Sequence, residues 1–255
     1  MNLDKAIKKK KVKKIIKYLK HHKVFYRVKA ARALGKIGDE RAIEALVKSL
    51  RDFYGSVKTA AAQSLIKIGN PAIDILTESI QDDDWFVRRE SARILGLIGD
   101  HKVIQYLVEA TSDNDSSVRI EVAIALGNLK APEAVDYLLK DLRDEHGNVR
   151  VEAVIALGKI GDRKATRPLI LAANDNYVPV KEACAKAFGQ IGDPAAVDKL
   201  VELLDYPHGN VRTKAKRALT KIGSAALMPL RNAVFTHSYG GKTAVQETIE
   251  LIERG

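Results

Sequence analysis

The chain has 255 residues, 46% of them hydrophobic, 29% charged and 5% aromatic, with a formal net charge of +11 and a single cysteine. This is apolar enough to exclude disorder over most of the length, and one cysteine excludes an internal disulfide or a thiolate metal cluster. No apolar run approaches the roughly 20 residues of a membrane span, and lysines interrupt the place where a secretory leader has its apolar stretch, so the expected compartment is the cytoplasm.

The positive charge belongs to one end. Residues 1–32 hold 13 Lys and Arg against one acid, Asp4, whereas the rest holds 30 basic and 31 acidic residues. Val12, Ile15, Ile16 and Leu19 form an apolar stripe. It predicts a basic N-terminal capping helix within residues 1–24, standing in for the second helix of an incomplete first unit. Opposite the stripe, Lys10, Lys13, Lys14 and Lys17 fall at i, i+3, i+4 and i+7. Like charges at this spacing cost a helix about 0.2–0.5 kcal/mol per pair, and Asp4 is the lone nearby acid. Either solvent screens the face, or an anionic partner does so: nucleic acid, an acidic protein surface or anionic lipid.

From residue 25 to 236 one phrase recurs: a cation after an apolar residue, a run of small residues, Leu or Phe, and Ile-Gly. Its last position falls at Gly38, Gly69, Gly99, Lys130, Gly161, Gly192 and Gly223, in steps of 30 or 31 residues. Such a period marks stacked supersecondary units. Within one copy, Val149, Ala153, Ala156, Leu157 and Ile160 share one helical stripe, Gly161 is placed to end the helix with positive φ, and Asp162 can open the next turn. Each copy is a helical hairpin, giving seven in residues 25–236. The column Leu34, Leu65, Leu95, Leu126, Leu157, Phe188, Leu219 and the column from Ile37 to Ile222 predict two apolar ridges. A small column, Ala30 to Ala215 and including Cys184, lets helices approach to about 8–10 Å, so Cys184 reads as packing. In residues 237–255, Val245, Ile249 and Ile252 predict a C-terminal capping helix.

A polar ladder runs beside this core. The cations are Arg27, Lys58, Arg88, Arg119, Arg150, Lys181 and Arg212, and six residues before most of them stands an acid: Asp52, Asp82, Asp113, Asp144 or Asp175, with His21 and Tyr206 as exceptions. An Asp there can cap the next helix and accept hydrogen bonds from a cation of its own or the neighbouring copy.

Val149-Arg150 followed by Ala156-Leu157-Gly158-Lys159-Ile160-Gly161-Asp162 resembles the HEAT-like repeat named after phycobilisome lyases, within the wider HEAT family. The resemblance covers about residues 26–236. It implies an all-α fold, a right-handed α-solenoid of about seven hairpins with N- and C-terminal capping helices, with first helices on the convex side and second helices lining the concave side. On that arrangement Glu44, Asp74, Gln105, Asp136, Arg167 and Asp198 point inward, with Lys48, Glu78, Glu109, Lys140, Leu171 and Glu202 a turn further on. The acidic balance of these rows argues against a nucleic-acid track. Tyr106 and Tyr137, one repeat apart, are either aromatic anchors for a protein partner or packing between repeats. Aromatic residues between units, among them Phe53, Tyr54, Trp85, Phe86, Tyr177, Tyr206 and Tyr239, are expected to cover hairpin ends.

Catalytic and metal readings find little. His146 and His208 occupy equivalent turns two units apart and cannot share an ion. No zinc spacing, phosphate loop, nucleophile–base pair or His-Glu dipeptide occurs. The expectation is therefore a non-enzymatic scaffold or adaptor with no cofactor, binding a protein through the concave face or the loop edge. Two alternatives stand beside it: a bilin lyase/isomerase-like subunit, implied only by the resemblance, and anion binding through the N-terminal lysines.

Overall fold

The computed structural model describes residues 2–234 and 239–254. Among the described residues all regular structure is helical. It falls into two compact units, Met1–Leu129 and Lys130–Gly255.

The first unit contains α1 (Leu3–Lys8), α2 (Val12–Lys17), α3 (Val24–Ile37), α4 (Ile43–Lys48), α5 (Gly55–Ile68), α6 (Ile73–Ser79), α7 (Trp85–Ile98), α8 (Ile104–Glu109) and α9 (Ser116–Asn128). The long helices α3, α5, α7 and α9 pack side by side, and each shorter helix folds back beside them through a 3-10 turn. The second unit repeats the rule with α10 (Val135–Asp141), α11 (Gly147–Ile160), α12 (Thr166–Ala172), α13 (Val178–Ile191), α14 (Val197–Leu203), α15 (Gly209–Ile222), α16 (Leu227–Ala233) and α17 (Tyr239–Arg254). There α11, α13 and α15 form the row of long helices, and α17 closes it against α15 and α16 with Val245 buried. The expected boundary at residues 236 and 237 lies outside the described residues.

The turns follow from local chemistry. Gly38, Gly99, Gly161 and Gly192 end long helices in the left-handed conformation, which costs glycine nothing because it has no Cβ. Asp39, Asp100, Asp162 and Asp193 then cap the following 3-10 turn by accepting the N–H two residues on, as from Lys164 at 2.8 Å.

The core corrects one expectation. The column from Leu34 to Leu219 is fully buried, but the isoleucine column is mostly half-buried. The second ridge comes instead from the short helices: Leu46, Leu76 and Leu107 in one unit, Leu138, Leu169, Leu200 and Leu230 in the other. Close helix approaches also occur at glycines beyond the expected small column. A Cβ on Gly96 of α7 would stand 2.5 Å from Ala125 Cβ of α9, and one on Gly158 of α11 would stand 2.9 Å from Ala187 of α13. Both are closer than side-chain carbons approach in folded proteins, so glycine is what lets these long helices touch.

The N-terminal segment is not one helix. α1 and α2 form a hairpin of their own that packs on α3, with Leu3, Ala6, Val12, Ile15 and Leu19 buried. The chain breaks at Lys10, whose φ of +47° matches the place later hairpins give to glycine. Lys11 donates to the Ala6 carbonyl at 2.9 Å and Lys10 to Ile7 at 2.9 Å, the double closure that favours a left-handed residue between them. Lysine pays about 1 kcal/mol for that conformation. Lys10→Gly is therefore expected to raise the urea midpoint by an amount equivalent to about 0.5–1 kcal/mol; a lowered midpoint would show that the lysine side chain contributes more than its backbone strain removes.

Candidate functional site

Each turn from a short helix to the next long one is built on the polar ladder. Asp52, Asp82, Asp113, Asp144 and Asp175 accept the backbone N–H two residues on, from Tyr54, Asp84, Asp115, His146 and Tyr177, at 2.7–2.9 Å. They therefore shape the turn before the helix and do not cap it. Asp84 and Asp115 are the caps of α7 and α9. The carboxylate also takes the arginine of the preceding repeat: Arg27 to Asp52, Arg88 to Asp113 and Arg150 to Asp175, each at 2.7 Å. The same arginine ties down its own turn, as when Arg88 Nη1 donates to the carbonyls of Asp82 at 2.8 Å and Asp83 at 3.1 Å. Arg119 holds the Asp113 carbonyl at 2.7 Å, and Arg212 those of Tyr206 and Pro207 at 2.8 Å.

Lys58 and Lys181 depart from this pattern. The Asp82 carboxylate is taken by Arg51 at 2.5 Å, and the Lys58 ammonium lies 3.8 Å from the centre of the Phe86 ring. Lys181, whose acid is replaced by Tyr206, sits 5.3 Å over that ring and donates to the Ala173 carbonyl at 3.3 Å. Cation–π contact substitutes for the ion pair where the geometry or the sequence removes it.

Between neighbouring short helices, above Arg88 and above Arg150, lies a groove. In the first unit the groove between α6 and α8 encloses about 210 Å³ and is bordered by Gln81, Tyr106 and Glu109, with Arg88 and Asp113 at its end. In the second unit the equivalent groove between α10 and α12 encloses about 920 Å³. The equivalent positions carry Arg143, Pro168 and Leu171, with Arg150 and Asp175 at the end. Proline in the tyrosine's place opens the groove. Leucine in the glutamate's place leaves an apolar side chain 71% exposed on its wall. Arg143, Arg167 and Lys140 along the rim are all exposed. The acid in this groove, Asp175, receives both Arg150 Nε and Nη2, at 2.7 and 3.0 Å. These bonds hold its carboxyl below the usual carboxylate range against the opposing effect of burial. It stays ionised but neutralised.

The sequence pattern described as HEAT repeats matches residues 2–66, 44–120, 107–181 and 166–247. The chain belongs to the HEAT-repeat family. Over 77 residues the array is 34% identical to the phycocyanobilin lyase subunit alpha of Picosynechococcus sp. (strain ATCC 27264 / PCC 7002 / PR-6), a match covering 27% of this chain and 29% of that protein. In structure it resembles YibA (TM-score 0.64, 17% identity, 95% of this chain and 92% of the other). It also resembles Kap95p, solved bound to RanGDP (TM-score 0.65, 14% identity, 94% of this chain and 41% of the other). These likenesses are to α-solenoids and establish the fold.

Within the HEAT array the residues expected to carry a site are dispersed. Lys13, Lys14 and Lys17 are exposed on α2, but Lys10 sits in the preceding turn and does not extend their helical face. Glu44 is bonded to Lys48 and Asp136 to Lys164, both at 2.5 Å on the surface, while Asp74 and Asp198 are exposed. Tyr106 belongs to the narrow groove of the first unit, and Tyr137 of α10 carries the Lys140 ammonium 5.1 Å over its ring. At the loop edge Phe53 is 91% exposed, so it covers no hairpin end, and Arg89 stacks over both Trp85 and Phe86. The side chain of Tyr239 lies outside the described residues. Cys184 is buried, and burial pushes its thiol pKa up, away from thiolate reactivity.

Residue type and spacing do not single out Leu142, Arg143 or Pro168, and they set Arg167 and Leu171 in rows without distinguishing them. Their signal is a break in the columns. Arg167 is the one cation in a row otherwise held by Glu44, Asp74, Gln105, Asp136 and Asp198, and Leu171 the one apolar residue in a row of charges. Among the described residues no helix is long and apolar enough to cross a membrane, and no group of three His, Cys, Asp or Glu side chains gathers in metal-ligating geometry.

Proposed function

We propose that this HEAT array is a non-enzymatic binding module that holds a protein partner on the short-helix face of its second unit. The observation that carries this reading is the local reversal at α12, where exposed leucine and arginine replace the charges and acids of the equivalent helices around a groove of about 920 Å³. A repeat fold has no need of such a change, because the same turn, ladder and buried leucines are built elsewhere without it. Exposed apolar surface rimmed by charge is the anatomy of an interaction site. Kap95p, bound to RanGDP, shows a similar solenoid in a complex with a protein. The test is capture from native extract on immobilised full-length chain. Arg167→Glu with Leu171→Glu is expected to remove the captured protein, and Lys13→Gln, Lys14→Gln and Lys17→Gln together to leave it bound. The reverse pattern would move the site to the N-terminal hairpin.

A second reading, a bilin lyase-like subunit, is favoured by the 77-residue likeness to phycocyanobilin lyase subunit alpha, of which the chain spans 29%. Incubation with phycocyanobilin and an apo-phycobiliprotein decides it. Covalent transfer followed by absorbance would replace the adaptor reading with this one, and an unchanged spectrum would set it aside.

A further inference from the structure

We infer that the groove between α10 and α12 receives an acidic segment of the partner protein, seated by a leucine- or phenylalanine-sized side chain. This rests on the proposed adaptor function and names what that site takes. The apolar part of the inference comes from Leu142, Pro168 and Leu171. Leu142 and Pro168 are half-buried, and Leu171 stands 71% exposed. A leucine held on a helix beside an open groove loses its water only when something fills the groove, and a proline next to it has no flexible side chain to fold over and fill it instead.

The acidic part comes from the rim. Lys140, Arg143 and Arg167 are exposed cations. Asp175, the acid lining the same groove, already receives two hydrogen bonds from Arg150, and the nearby Asp136 is paired with Lys164. The groove therefore presents an uncompensated positive rim over an apolar wall. Two of the cations are guanidinium groups, which bind carboxylates through two parallel hydrogen bonds. A basic segment would be repelled, and a neutral apolar one would offer the two guanidinium groups no carboxylate.

The molecule contains its own control. The α6–α8 groove has the same ladder pair at its end, Arg88 with Asp113, yet offers Gln81, Tyr106 and Glu109 where the α10–α12 groove offers Arg143, Pro168 and Leu171. It is narrower, at about 210 Å³, and its rim carries an acid. The frame is shared. The changes that enlarge the groove, make it apolar and make it basic all fall on the two short-helix segments that border it, Arg143 just after α10 and Arg167, Pro168 and Leu171 on α12.

The test pans a random peptide library on the intact chain, then titrates the best binder as a fluorescent synthetic peptide. The expected consensus has two or more Asp or Glu around one Leu, Ile or Phe. Its affinity for the natural chain should weaken with added salt, and should fall at least tenfold in Arg143→Glu/Arg167→Glu and in Leu171→Ser. Exchanging the peptide's acids for lysines should restore binding to Arg143→Glu/Arg167→Glu and abolish it on the natural chain. All three positions lie on or beside the surface of short helices, and an unchanged circular dichroism spectrum and urea midpoint certify folding. A basic or uncharged consensus, or an acidic one that binds these variants as well as the natural chain, would overturn the inference. If that happens while Arg167→Glu with Leu171→Glu still loses the captured protein from extract, the adaptor site stands and only its chemistry was misread. If capture also persists, both fall.

Discussion

Gly96→Val is expected to lower the stability of the chain by about 3 kcal/mol, at the upper end of what overpacking a close-packed core costs. Gly96 is buried in the last turn of α7, where that helix meets α9. A Cβ there would lie 2.5 Å from Ala125 Cβ and 2.8 Å from Ala125 Cα. The second distance is to backbone, so no rotamer change relieves it. The helices must separate, and every buried contact along them, including Leu95 and Leu126, loosens together because dispersion falls off within an ångström. Gly99→Ala is the matched control. Gly99 has φ +82° with nothing within 4 Å of its would-be Cβ, so that change carries only backbone strain, about 1–2 kcal/mol. Urea unfolding of the two variants separates the mechanisms. Gly96→Ala, which adds the colliding Cβ alone, should also destabilise the chain, and Ala125→Gly added to it should return part of that loss, since it removes the nearest atom met. Equal effects at positions 96 and 99, or no recovery, would mean that this glycine does not set the distance between the long helices.

That contact also shows what the sequence made legible and what it did not. Period, helix ends and the buried leucine column follow from residue type and spacing, because a helix end needs a glycine or a cap wherever it lies and a 3.6-residue stripe has one inside. The same logic located the ladder cations, whose charge demands a partner. It failed where the outcome depends on which neighbour arrives first. Lys58 loses Asp82 to Arg51 from the previous short helix, a competition no single column displays. Lysines at i, i+3, i+4 and i+7 fit a helical face, which by spacing alone includes Lys10. The backbone instead turns there, since Leu3 and Ala6 must be buried on one side and Val12 and Ile15 on the other arm of the hairpin. The groove is hard to read from sequence for a different reason: its residues are conspicuous as departures from a repeat and ordinary in themselves.

Asp113→Asn is expected to cost about 3 kcal/mol at neutral pH, and the loss should shrink as the solution is acidified. Arg88 and Asp113 are 17% and 9% exposed, so solvent screens the pair poorly, and removing one partner of such a pair typically costs about 3–5 kcal/mol. The lower end applies because Arg88 Nη1 keeps its carbonyl partners in the preceding turn. Asparagine preserves an oxygen for the Asp115 N–H, which isolates the charge. Burial raises the Asp113 carboxyl, and the hydrogen bonds from Arg88 and from the Asp115 N–H outweigh it, leaving the folded pKa below the ordinary value. A depressed carboxylate stabilises the fold fully above the unfolded pKa of about 3.9 and loses that contribution as the pH falls through its lower folded value. The natural chain must therefore lose stability on this account below about pH 4, where the asparagine variant has nothing to lose. Asp175, held low by Arg150, adds a second contribution of the same sign in both proteins, and Glu152, raised by burial, adds one of opposite sign. Both cancel when variant and natural chain are compared at each pH. Urea midpoints measured from pH 7 to pH 3 should converge. Parallel curves would show that Asp113 acts through the shape of its turn alone, and the arginine ladder would then be a consequence of the stacked turns and not part of what holds them in place.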